Sequence, residues 1–161
     1  GILADVEETG ETFAENARLK AEAVLKMTGC PALADDSGLS VDALHGAPGV
    51  RSARYAGVHG DDKANNDLLR RHLAGYEKPW RARFVCAMAL ARPGRETLIV
   101  EGNVPGEIID EPRGEAGFGY DPLFLYESGE TFAEMAEEAK NEISHRARAA
   151  RALREALSQG R

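Results

Sequence analysis

Polar and apolar positions alternate along this chain with changing period, and the changes mark its elements. Thr12 to Met27 reads as a helix: Thr12-Phe13-Ala14-Glu15 has the form of a capping box, and Gly29 follows the end. Pro31 to Asp35 is a short apolar run that predicts a buried strand. Leu39 to Leu44 alternates, which fits a second strand or a short turn. Gly46 to Gly60 is glycine-rich and predicts a loop. Asp61 to Leu73 is predicted helical, with acids in its first turn and Arg70, Arg71 and His72 in its last. Arg81 to Ala91 alternates around Phe84, Cys86, Met88 and Leu90 and predicts a strand. Thr97 to Ile109, rich in Leu, Ile and Val, predicts another, with Pro105-Gly106 as a place for a bulge and Pro93-Gly94 as the turn between them. Glu111 to Pro122 is predicted loop and Leu123 to Tyr126 a short strand. Thr131-Phe132-Ala133-Glu134 is a second capping-box pattern. Ser144 to Leu157 predicts a closing amphipathic helix, apolar at Ala147, Ala150, Leu153 and Leu157. Helix, strand, strand, helix, long hairpin, helix is the order of an α/β domain with a mixed sheet.

Composition narrows the class. The chain has 161 residues, which suits one domain spanning 1–161. Hydrophobic content of 43% and charged content of 29% are those of a globular protein. No run approaches the roughly 18 apolar residues that cross a membrane, and no signal peptide is visible, so a cytoplasmic protein without a membrane partner is expected. The net charge of −7 argues against a nucleic-acid surface, which would be basic, but leaves room for a small anion held by a few lysines. Cys30 and Cys86 lack metal-ligand spacing and read as buried free thiols.

Several stretches carry candidate chemistry. Asp35-Asp36-Ser37-Gly38 follows the apolar run Ala32-Leu33-Ala34, and carboxylates at a strand end are held by the scaffold yet open to a crevice. Neighbouring strand side chains point to opposite faces, so at most one of the two acids serves a given site; the same tetrapeptide is also good turn chemistry. Glu8 lies just before the first helix. With Asp36 it is a candidate pair for Mg²⁺, an ion held by one or two carboxylates plus substrate phosphates, although acids near a helix start also favour the dipole. Asn16 and Lys20, four apart, share a helix face, and Lys20 is a candidate phosphate ligand or a solvated lysine paired with an acid. In Gly117-Phe118-Gly119-Tyr120-Asp121-Pro122, glycines let backbone approach a flat ligand, a ring stacks on it, and Asp121 reads a base edge; alternatively the aromatics plug the core. Ser144 fits an N-cap. His145 and Arg146 then fall in a first turn, where cations oppose the dipole, and donors to a purine carbonyl would account for them. His45, His59 and His72 show no partner in the sequence.

Taken in order, these stretches resemble the inosine triphosphate pyrophosphatase family, the non-standard purine nucleoside-triphosphate pyrophosphatases, in its bacterial form. The matching pieces are Glu8-Thr9-Gly10, Thr12-Phe13, Asn16-Ala17, Leu19-Lys20-Ala21, Ala34-Asp35-Asp36-Ser37-Gly38-Leu39, Gly46-Ala47-Pro48-Gly49-Val50, Ser52-Ala53-Arg54-Tyr55, Phe118-Gly119-Tyr120-Asp121-Pro122 and Ile143-Ser144-His145-Arg146. The family also has an N-terminal strand and a Thr-x-Asn-x-x-Lys phosphate loop that this sequence lacks, and an upstream stretch carrying them is expected.

The resemblance implies a long curved mixed sheet with helices on both sides, two lobes around a nucleotide cleft, and a homodimer. It implies hydrolysis of ITP, dITP and XTP to monophosphate and pyrophosphate. Glu8 and Asp36 would bind Mg²⁺ (or Mn²⁺), and Asp36 would also be the general base. Lys20 and Lys140 would hold phosphates, and Ser37, Phe118, Gly119, Tyr120, Asp121, His145 and Arg146 would surround the purine. Two other readings stay open: a Maf-like pyrophosphatase for modified pyrimidine triphosphates, and a non-catalytic nucleotide-binding module.

Overall fold

The computed structural model of the chain describes residues 8–161. In chain order the elements are α1 (Phe13–Thr28), β1 (Ala32–Val41), α2 (Asp62–Leu73), β2 (Trp80–Ala91), β3 (Leu98–Ile108), β4 (Phe124–Leu125), α3 (Glu137–Ile143) and α4 (His145–Ser158). Short 3₁₀ turns cover Asp42–Leu44, Gly49–Arg54 and Asp121–Leu123. The strands form one four-stranded antiparallel sheet in the order β1-β2-β3-β4, so the α/β class read from the sequence holds. Among the described residues no helix is long and apolar enough to cross a membrane.

The chain divides into two compact units. The first comprises Gly1–Ser37, Val85–Asn103 and His145–Arg161; the second comprises Gly38–Phe84 and Val104–Ser144. In the first unit, β2 is covered on both faces. Ala87, Ala89 and Ala91 meet Ala17 and Ala21 of α1. Cys86 and Met88, on the opposite face, meet Ala149, Leu153 and Ala156 of α4. Alternation sends successive side chains to opposite faces, so a strand buried on both sides becomes an unbroken apolar run, as Cys86 to Ala91 is. α1 starts where Thr12 Oγ1 accepts from Glu15 N at 3.1 Å. It stops at Gly29, which adopts φ 71° and returns its N–H to Leu25 O at 2.7 Å.

The second unit is built around aromatics. Phe84, Phe124 and Phe132 pack with ring centroids 4.5–5.5 Å apart. Leu39, Val41, Leu69, Leu73 and Ile108 belong to the same core. β4 pairs with β3 through Ile108↔Phe124 and Glu107↔Leu125.

Four elements differ from expectation. The predicted 31–35 segment and the start of the predicted 39–44 segment are one strand, Ala32–Val41, that runs through Asp35-Asp36-Ser37-Gly38, so the turn reading of that tetrapeptide fails; Asp42–Leu44 is a 3₁₀ turn. The second capping box closes reciprocally, Thr131 N to Glu134 Oε1 at 2.9 Å and Glu134 N to Thr131 Oγ1 at 3.2 Å, yet makes only an isolated turn; the helix begins later, at Glu137. α4 buries Ala149, Leu153 and Ala156, while Ala150 and Leu157 are exposed. Cys30 is exposed and Cys86 buried, both as free thiols.

Candidate active site

β1 presents its two adjacent acids to different partners in the first unit. Asp35 Oδ2 accepts from Arg146 Nε at 3.0 Å. Asp36 turns towards α1, where Asn16 Nδ2 lies 3.3 Å from Oδ2 and Lys20 Nζ lies 3.8 Å from Oδ1. Lys20 Nζ also pairs with Glu8 Oε1 at 2.8 Å. The i, i+4 spacing places Asn16 and Lys20 on one helix face, above a strand residue whose side chain is 12% exposed. Burial pushes the Asp36 carboxyl above the usual aspartate range; Lys20 pulls it down, Glu8 pushes it up, Asn16 lowers it and Asp35 raises it. Desolvation therefore wins over the neighbouring ammonium, and the carboxylate becomes a stronger proton acceptor than a solvent-exposed aspartate.

Glu8 and Asp36, the candidate pair, thus both lie against Lys20, which here is paired with acids, and Ser37 is next on β1 and half-buried. Glu7, the acid next to Glu8, lies outside the described residues. Among the described residues no group of three or more His, Cys, Asp or Glu is arranged to hold a metal. Two carboxylates already converging on one ammonium do suit a hard cation that keeps substrate oxygens as its other ligands.

Arg146 sits in the first turn of α4, where a cation opposes the helix dipole, and the Asp35 ion pair offsets that cost. Ser144 is the extended residue that ends α3, accepting the chain into α4 one residue later. His145 is half-buried beside it.

The second unit holds the glycine–aromatic loop. Phe118 is 74% exposed. Tyr120 is 5% exposed, and its hydroxyl donates to Ser52 O at 2.7 Å; burial pushes its phenol pKa up. Of the two readings of Tyr120, the side chain takes the core position. Asp121 is also 5% exposed; its Oδ2 accepts from Phe118 N at 3.2 Å and pairs closely with Lys140 Nζ. A Cβ on Gly117, at φ 76°, would stand 2.2 Å from that oxygen, so only glycine allows the loop to close on Asp121. Gly119 is fixed by Asp62 Oδ2, which accepts from its N at 2.9 Å, and by Asn66 Nδ2, which donates to its O at 3.0 Å. Lys140 Nζ lies 5.3 Å from the Phe118 ring centroid and 5.9 Å from that of Phe132. Phe118, Phe132, Lys140 and Asn141 line a concavity of about 250 Å³. A larger one, of about 750 Å³ between Arg70, Lys78, Trp80 and Asp110, includes none of the candidate residues.

Asn16 is the contact the sequence reading gave no role, although its spacing from Lys20 placed it on the right face. His72 is the other: its Nδ1 lies 2.5 Å from the Tyr55 hydroxyl.

The four-stranded α/β fold, with Lys20 of α1 and Asp36 of β1 beside Glu8, matches solved structures of bacterial Ham1 proteins. The Staphylococcus aureus Ham1 protein structure matches with TM-score 0.93 and 46% identity, covering 98% of this chain and 82% of that one. A Mycobacterium abscessus structure described as nucleoside-triphosphatase / dITP/XTP pyrophosphatase matches with TM-score 0.84 and 47% identity, covering 95% and 79%. The dITP/XTP pyrophosphatase of Bacillus subtilis is 54% identical over 159 residues, covering 98% of this chain and 80% of the relative. Residues 1–156 match the Ham1 family, and this chain belongs to it.

Proposed function

We propose that this chain is a pyrophosphatase that hydrolyses the non-standard purine nucleoside triphosphates dITP, XTP and ITP to the monophosphate and pyrophosphate. Relatives more than half identical to it carry the name dITP/XTP pyrophosphatase. The observation in the structure that carries the reading is the convergence of Glu8 and Asp36 on a single cationic group, the Lys20 ammonium.

In this reading residues 1–161 act as one pyrophosphatase domain, in a cytoplasmic homodimer. Glu8 and Asp36 would hold a divalent ion, Mg²⁺ or Mn²⁺. When bound, the ion neutralises phosphate charge and acidifies water. Asp36, made more basic by burial, accepts the proton of the attacking water. Lys20 exchanges its carboxylate partners for phosphate oxygens, a point charge suited to that role. Lys140 serves a phosphate in the same way. Phe118 offers an exposed ring face on which a base stacks, and the backbone of Gly119 and Tyr120 with the Asp121 carboxylate frames that loop. Ser37, His145 and Arg146 stand as purine contacts. Donors aimed at a 6-oxo group reject adenine, which leaves them unpaired.

The test is product analysis on a triphosphate panel. Pyrophosphate release from dITP and XTP that exceeds release from dATP and dUTP supports the proposal. Orthophosphate as first product, or preference for dUTP, rejects it.

A further inference from the structure

Asn16, Ala17 and Ala21 are the buried residues of α1, and only Asn16 is polar. It is 1% exposed. Burying a primary amide is unfavourable unless its groups are hydrogen-bonded, so its partners explain its presence. Helix initiation does not need them: Thr12 caps the helix through Glu15 N, and the Asn16 backbone N–H bonds to Thr12 O at 3.2 Å. The side chain looks outward from the helix instead. Its Oδ1 accepts from Gly10 N at 2.7 Å, and Nδ2 donates to Asp36 Oδ2 at 3.3 Å and, at longer range, to Gly10 O at 3.5 Å. Gly10 lies two residues beyond Glu8. A Cβ on Gly10 would stand 2.7 Å from Asn16 Oδ1 and 2.7 Å from Glu15 Cβ, so the segment carrying Glu8 reaches this amide because position 10 has no side chain.

One buried amide therefore ties the backbone of the Glu8 segment to the carboxylate of Asp36. It also makes the two oxygens of Asp36 unequal. Oδ2 is anchored by the Asn16 N–H; Oδ1 is the one that lies towards Lys20. We infer that Asn16 is a positioning residue for the proposed hydrolysis: it fixes the direction of the Asp36 carboxylate and its separation from Glu8, leaving Oδ1 as the working oxygen. The inference rests on the reading of Glu8 and Asp36 as the metal-binding pair and of Asp36 as the base. Partners of this kind, one step removed from the metal, typically change affinity or activity about 10- to 100-fold when removed.

Two substitutions separate positioning from simple packing. Asn16→Ala removes all three hydrogen bonds. Asn16→Asp keeps the shape and an acceptor for Gly10 N but replaces the donor facing Asp36 with an oxygen. The measurements are kcat and KM for dITP by pyrophosphate release, and Mn²⁺ binding without nucleotide by electron paramagnetic resonance, with Asp36→Asn assayed alongside. Both Asn16 variants are expected to lose roughly 10- to 100-fold in kcat with a smaller change in KM, and Asn16→Ala to bind Mn²⁺ about tenfold more weakly. Should Asn16→Ala fail to fold, Asn16→Ser decides: unlike Asn16→Asp it adds no charge beside Asp36, and a merely structural amide would leave its kcat near the wild-type value. Wild-type kcat in Asn16→Ser beside an inactive Asp36→Asn overturns the positioning role alone. Full turnover in Asp36→Asn overturns the assignment of the base, and this inference with it.

Discussion

Asp35 and Asp36 are neighbours on β1, yet Asp35 pairs with Arg146 of α4 and Asp36 with Asn16 and Lys20 of α1. Strand alternation sends them to opposite faces of the sheet, and each face of the first unit has its own helix. Their environments differ in kind. The Asp35 side chain is 37% exposed and its partner's 58%, whereas that of Asp36 is 12% exposed. Asp36→Asn keeps the shape and removes the proton acceptor, and a lost general base lowers turnover by about 10²- to 10⁴-fold. Asp35→Asn removes an exposed ion pair, changing stability by less than about 1 kcal/mol, and retains turnover well above that of Asp36→Asn. Pyrophosphate release and thermal unfolding of the two variants measure this contrast; equal losses of turnover would contradict it.

Lys20 holds two carboxylates together where no other cation does so among the described ion pairs. Lys20→Met leaves Glu8 and Asp36 facing each other without that charge. A divalent ion then has more repulsion to relieve, so Mg²⁺ is expected to raise the unfolding temperature of Lys20→Met more than that of the wild type. The pH profile changes as well. Asp36 already titrates above the usual range through burial, and Lys20 opposes that shift. Removing Lys20 moves the carboxyl further up. The base acts only when ionised, so the acid limb of kcat/KM shifts to higher pH. An unchanged limb together with an unchanged metal effect would mean that Lys20 and Asp36 are not coupled.

The legible parts of the fold are those in which local chemistry and tertiary demand coincide. Thr12 and Gly29 mark both ends of α1 in sequence and in structure. Asp35-Asp36-Ser37-Gly38 misleads because its turn propensity is overridden by sheet pairing, and by Ser52 Oγ, which accepts from Leu39 N at 2.9 Å just downstream. Thr131 and Glu134 satisfy one another without the helix that usually follows, and α3 begins at Glu137 behind Ala136, an N-cap residue with no capping side chain to announce it. The buried face of α4 is hidden among similar alanines. It is set by Gly102 of β3, where a Cβ would stand 2.2 Å from Ala149 N. In the candidate site, Glu8, Lys20 and Asp36 were readable because charged types at suggestive places are few. The part played by Asn16 was not, because hydrogen bonding to Gly10 and Asp36 leaves no periodic trace.

The two thiols give a pH-dependent check on the first unit. Cys30 is exposed; burial pushes Cys86 from 9.0 up to about 11, with Asp35 adding to the rise and Arg146 opposing it. The thiolate is the reactive form, so at pH 8 a maleimide or iodoacetamide should label Cys30 and spare Cys86 in the folded protein. Between pH 9 and about 11 the unfolded chain releases the Cys86 proton before the folded one does. That group therefore lowers stability as pH rises through this window. Denaturant unfolding of wild type and Cys86→Ala across it should show the slope diminished in the variant. Mass spectrometry showing equal labelling of both thiols at pH 8 would contradict the buried placement.

Phe118 and Tyr120, two residues apart in one loop, are predicted to answer substitution in opposite ways. The Phe118 ring is 74% exposed and rests against the Lys140 ammonium, so Phe118→Ala gives up little packing. It removes the surface on which a base stacks, and a stacked base contributes about 1–3 kcal/mol, so KM for dITP should rise roughly tenfold or more. Tyr120 is buried, and its hydroxyl satisfies Ser52 O at 2.7 Å. Tyr120→Phe leaves that carbonyl without its donor inside the core, a loss of about 1–3 kcal/mol in stability, while its KM moves less than that of Phe118→Ala. Urea denaturation and initial-rate kinetics on the two variants form the comparison. If Phe118→Ala binds dITP as the wild type does, the exposed ring is not a nucleotide contact and the purine must be recognised elsewhere.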